Sequence, residues 1–182
     1  FVLVEPNSKD GPYERFRGDD LRRVFREERL RKTINYNLAR WSRALIDGAT
    51  DEIRLDGKVA EDHIRRVAIM NLKKLAGSGE ADLAAVSVHA WRDREFIREE
   101  VRIIAPTIIV TCKRDTNRLF GWVMKDDPFW EPPEDSPWEF ERITVLPASH
   151  PSGWARMKEA MEGLVQRARA ARVGAFAEDR AG

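Results

Sequence analysis

Apolar residues gather in four short runs, at 1–4, 66–71, 107–112 and 143–147, each too short for a helix and rich in aliphatic or β-branched residues. Between and after them, apolar positions recur at steps of three and four. Leu21, Val24, Phe25, Ile34, Leu38, Trp41 and Leu45 mark one long or two consecutive helices over 19–47. Leu83, Val86, Ala90, Ile97, Val101 and Ile104 mark a helix over 80–104, and Leu119, Phe120 and Val123 a shorter one over 114–124. Trp154, Met157, Met161, Leu164, Val165 and Ala168 predict a last helix. A strand followed by a helix, four times over, predicts a three-layer α/β/α sandwich with a four-stranded, mainly parallel sheet. The β-branched run at 107–112 is the natural centre of such a sheet.

The punctuation agrees with this scheme. Gly48 ends the first helical stripe and Pro106 the second, because Gly reaches conformations other residues avoid and Pro lacks an N–H. Residues 49–64 are polar and turn-rich and predict no element of their own. Residues 125–142 are acidic and rich in Pro and aromatics, which predicts a surface loop or loose hairpin folded onto the sheet edge. From Arg172 onward the chain is small and charged and is expected to fray, leaving one domain over 1–172 and a tail at 173–182.

Three of the short runs close on polar groups. The first leads to Glu5 before Pro6, the second ends at Asn71, and the fourth runs into Ser149-His150-Pro151-Ser152. In open α/β sheets ligands bind at the C-terminal ends of parallel strands, so these groups are candidates for a site. Each has a plainer role open to it: Glu5 as a solvated loop carboxylate, Asn71 as a loop cap, His150 as the tie of its turn. The basic residues Arg22, Arg23, Arg26, Arg29, Arg31 and Lys32 either meet phosphates or, with Glu27 and Glu28 among them, form a solvated face.

Composition narrows the classes. The 182 residues are 42% hydrophobic, enough for a proper core, and 32 basic against 31 acidic side chains leave a net charge of +1. No strong overall field for a polyanion exists, although gripping one nucleotide needs only a local patch. A single cysteine, Cys112, excludes an internal disulfide and a Cys-based cluster. With His63, His89 and His150 scattered, neither metal nor other cofactor is expected. No apolar run approaches the length needed to span a bilayer, and a reducing cytoplasm is the expected setting. The chain opens inside a predicted strand, which predicts native sequence before Phe1.

In this order the signatures resemble those of the uracil-DNA glycosylase superfamily. The strand ending Glu5-Pro6, the strand ending Asn71, the segment from Ile103 through Pro106 to Cys112, and the loop from Leu146 through His150-Pro151-Ser152-Gly153 match its motifs over about residues 1–170. The resemblance implies a repair enzyme, a monomer acting on DNA, that flips out uracil or another deaminated base and hydrolyses its N-glycosidic bond. His150 and Glu5 would be catalytic, His150 donating to the base oxygen that turns anionic and Glu5 facing water and the cationic sugar. Asn71 would read the polar edge of the base. Asn7 stands where known branches carry the Tyr or Gly beside the base, and Phe16 or Tyr13 would stack on it. Ser149 and Ser152 would contact DNA, and Trp154, just beyond Gly153, would wedge into the vacated stack.

The departures are specific. Leu3 and Val4 stand where a Gly usually precedes the acid, Cys112-Lys113 replaces the Gly after the central strand, and the cysteines of the iron–sulfur branches are absent. Two other readings therefore stand beside the enzyme: a base-binding module with weak or no turnover, and an α/β enzyme acting on free nucleosides or nucleotides.

Overall fold

A computed structural model describes residues 1–3, 33–50, 56–73, 82–151 and 157–181. Its strands are β1 (Val2–Leu3), β2 (Met70–Asn71), β3 (Ile108–Cys112), β4 (Trp138–Phe140) and β5 (Ile143–Ala148). The helices among the described residues are α1 (Thr33–Asp47), α2 (Gly57–Ile64), α3 (Leu83–Arg92), α4 (Arg94–Ile104), α5 (Arg114–Lys125) and α6 (Met157–Ala171), with a 3-10 helix at Gly174–Ala181. The chain forms two compact units: a sheet unit of Phe1–Arg17 with Ile69–Pro147, and a helical unit of Gly18–Ala68 with Ala148–Gly182.

The sheet has the order β2-β1-β3-β5-β4. Val2 and Leu3 lie beside Met70 and Asn71 in a parallel pair, and Val2 beside Thr111 in a second. Trp138, Glu139 and Phe140 run antiparallel to Val145, Thr144 and Ile143. This corrects the predicted four-stranded, mainly parallel sheet and its three-layer sandwich. The sheet is mixed, and its three strands longer than two residues make one parallel pair, β3 with β5, and one antiparallel pair, β5 with β4.

The causes are local. Arg65 and Arg66 spend their amides on the carbonyls of Glu61 and His63 at the end of α2, so the run at 66–71 reaches a ladder only at Met70. The extra strand β4 comes from the acidic 125–142 segment, where Trp138 turns inward and is buried. The helix predicted over 80–104 is two, divided at Asp93. Its amide closes α3 on His89 while its carbonyl accepts from Ile97 in α4. Asp82 starts α3 by accepting from the amides of Ala84 and Ala85 at 3.0 and 3.3 Å.

The core of the sheet unit joins Val2, Met70 and Ile109 from the strands to Val86, Ala90, Ile97, Val101, Leu119, Phe120 and Val123 from the helices. Arg98 ties α4 to α5 by donating to the Val123 carbonyl at 2.7 Å. Gly121 sits in mid-helix because there is no room for more. A Cβ there would lie 2.6 Å from Cζ3 of Trp130, whose ring packs edge-on against Trp138 at 4.9 Å. Ala ordinarily improves a helix over Gly by about 1 kcal/mol. Gly121→Ala is nevertheless expected to destabilise the protein and alter its tryptophan fluorescence, since Trp130 must leave Trp138. A variant more stable than the parent in urea would contradict this.

In the helical unit, α1 packs on α2, α6 and the 3-10 helix that follows Arg172. Leu38, Trp41, Ala44 and Leu45 are buried with Ala60 and Ile64 of α2 and Met161, Leu164, Val165 and Ala168 of α6. Gly48, at φ +71°, stops α1. Asp47 then binds His63 Nε2 at 2.6 Å and Arg66 at 3.0 Å, while His63 Nδ1 meets the Val59 carbonyl at 2.8 Å. The His63 bond, helped by Arg66, holds the Asp47 carboxyl below its ordinary value against the opposing effect of burial. A carboxyl depressed on folding stabilises above its unfolded value, about 3.9, and that stability is lost as pH falls through the folded value. The stability gap between the parent and Asp47→Asn should therefore be open at pH 7 and shrink below about pH 4. Urea titrations giving an equal gap at pH 7 and pH 3 would refute the assignment.

Candidate functional site

Parallel pairing sends the C-terminal ends of β1, β2 and β3 to one edge of the sheet. Asn71 is the last residue of β2, beside Leu3 of β1, and Met70 before it donates to the Phe1 carbonyl at 2.9 Å. Strand alternation buries Met70 and Leu72 and leaves Asn71 half-buried between them. Its side-chain Oδ1 is shut off from solvent and has no hydrogen-bond partner among the described residues. An unpaired buried acceptor costs about 1–3 kcal/mol. A ligand donor arriving at the strand end would remove that cost.

β5 carries the chain from Ile143 to Ala148, and Ser149 and His150 follow it, both exposed. Pro151 behind them is buried, and its carbonyl accepts a hydrogen bond from the Asn37 side chain of α1. Ser149 and His150 thus leave the strand together in the helical unit, whereas Asn71 belongs to the sheet unit. Glu5, Asn7, Tyr13, Phe16, Ser152 and Trp154 lie outside the described residues. Asn37 was not among the predicted site residues. The signal was there: it shares the helical face of Ile34 and Trp41, three before and four after, so a polar residue stands in an apolar stripe.

Other polar features lie apart from these residues. Cys112 is buried and burial pushes its thiol up to about 12, so no thiolate nucleophile is at hand. Among the described residues no group of three or more His, Cys, Asp or Glu could hold a metal ion. A cavity of about 310 Å³ lies at the start of α5, bounded by Arg114 and Arg118 and by the carboxylates of Asp115, Glu131 and Glu134. Arg114 pairs with Glu134 at 3.2 Å and Arg118 with Asp115 at 3.8 Å. It contains none of the predicted site residues.

No family model matches the chain, and no curated protein matches it. No helix among the described residues is long and apolar enough to cross a membrane.

Proposed function

We propose that this chain is a DNA glycosylase, acting as a monomer in the cytoplasm, that removes uracil or another deaminated base. The observation that carries the reading is the buried Oδ1 of Asn71, without a hydrogen-bond partner among the described residues, at the C-terminal end of β2. A base edge presents N–H donors, and a fixed amide acceptor at a strand end is suited to read one once the base has left the stack. The motif order supports the same reading, because β1 leads to Glu5 and β5 to Ser149 and His150.

In the reaction, the bond between C1′ and the base nitrogen breaks, and its electron pair leaves with the base. Negative charge gathers on a base oxygen and positive charge on the sugar. His150 donates to the oxygen as the charge develops, so its bond is strongest in the transition state. Glu5 faces the cationic sugar and orients the water whose oxygen adds to C1′. The water gives up a proton as it adds and the departing base anion takes one up, so the products are the neutral free base and an abasic strand. Ser149 and Ser152 hold the DNA, Trp154 fills the gap in the stack, and Asn7 and Phe16 complete the base's surroundings.

The test is incubation of purified protein with oligonucleotides carrying uracil, hypoxanthine or xanthine, single-stranded and duplex, followed by alkali. Strand scission at the altered base is the expected result. No scission with protein in excess over DNA would overturn the reading, as would cleavage confined to free nucleosides.

A further inference from the structure

We infer that Asn37 is a positioning residue that sets the placement of His150 through the carbonyl of Pro151. The backbone around His150 is constrained on both sides by simple chemistry. A residue before proline is kept in the extended region, so Pro151 restricts His150. The proline ring then fixes its own φ. Among the backbone torsions from His150 to the Pro151 carbonyl, the ψ of Pro151 is left free by the ring, and the Asn37 Nδ2 bond to that carbonyl holds it. On the other side, Ala148 ends β5, two residues before His150.

The orientation of the Asn37 amide follows from its partner. A backbone carbonyl only accepts, so the NH₂ faces Pro151 and Oδ1 faces away. Asn37 is 1% exposed, and its Oδ1 has no hydrogen-bond partner among the described residues. A leucine of the same shape would fill the position without an unpaired acceptor. What asparagine adds is the single donor to Pro151. The helix beneath it is firmly placed: Leu38, Ala39 and Trp41 after it are buried, and Ser42 donates to the His63 carbonyl at 3.0 Å. A buried donor on a packed helix is what a loop-borne catalytic group needs if its geometry is to be kept, since misplacement by about 1 Å can cost a hundredfold in rate.

The kinetic arm rests on the glycosylase reading; the spectroscopic arm does not. Asn37→Leu keeps the volume and removes the donor, and Asn37→Asp keeps the shape and replaces the donor with an acceptor. In both, the imidazole NMR signals of His150 are expected to shift, while those of His63, toward the far end of α1, stay in place. With a uracil substrate under the conditions above, kcat should fall about 10- to 100-fold and KM change little. In a His150→Ala background the same substitutions should have no further effect on kcat. An unmoved His150 signal would overturn the inference, and so would an equal loss of kcat with and without His150. Loss of the fold in both variants would also overturn it, showing Asn37 to be a core residue only. A parent that cleaves nothing would sink the glycosylase reading, while the His150 spectra would still decide this one.

Discussion

On the proposed glycosylase reading, replacing His150 by Ala is expected to slow base excision by about 10²–10³, the usual loss when one donor to a developing oxyanion is removed. The size follows from when the bond matters. In the ground state the base oxygen is a neutral carbonyl, already well served by water. It becomes a strong acceptor only as the glycosidic electrons arrive, so a His150 bond to it would contribute chiefly to kcat. Binding of a duplex with an abasic site, which has no such oxygen, should change little. The measurement is single-turnover cleavage beside a binding titration. A variant cleaving at the parental rate would remove His150 from the chemistry. A variant with parental kcat and a raised KM would make it a binding residue.

How far the candidate site is legible in the sequence depends on the kind of signal. Strand ends are visible in a sequence because the period changes and a polar residue follows. Asn71 does end β2, and Ser149 and His150 do follow β5. Helix stripes are equally plain where the polar face is uniform, as in α4, where Ile97 and Val101 are buried as their spacing predicts. Ile104, on the same predicted stripe, is 39% exposed, because Ala105 at φ +46° has already turned the chain away.

What was hidden is instructive in the same terms. α2 has only Ala60, His63 and Ile64 as its buried face, too few apolar positions to stand out from a polar stretch. β4 alternates over just three residues inside an acidic, Pro-rich segment, and its strand character comes from pairing with β5. Tertiary contact there outweighs composition. The two amides at 37 and 117 were hidden differently. Each is a polar side chain on a buried helix face, and which groups it serves is a matter of partners far along the chain: 114 residues away for Asn37, and as many as 21 for Asn117.

Asn117 carries the second large expectation, a loss of stability of roughly 3 kcal/mol on substitution by Ala. It is 1% exposed, on α5, and three bonds converge on it. Its Oδ1 accepts from Thr111 Oγ1 of β3 at 3.0 Å and from Trp138 Nε1 of β4 at 2.9 Å. Its Nδ2 donates to the Pro133 carbonyl at 3.0 Å. One side chain thereby fastens two strands and the acidic segment to a helix. Ala leaves the indole N–H, which can only donate, without its acceptor in a buried place, and the Thr111 hydroxyl loses its partner too. Each such group costs about 1–3 kcal/mol, whereas Pro133 is exposed and its carbonyl can turn to water. Asn117→Asp keeps both acceptor bonds but sets a buried carboxylate against the Pro133 carbonyl, so it should destabilise as well. Against a total of about 5–15 kcal/mol for an ordinary domain, the Ala variant should melt visibly earlier. Urea unfolding followed by tryptophan fluorescence measures it directly, because Trp138 reports on its own hydrogen bond. An Ala variant within about 0.5 kcal/mol of the parent, the range of an ordinary surface substitution, would show that these three bonds do not hold the sheet unit together.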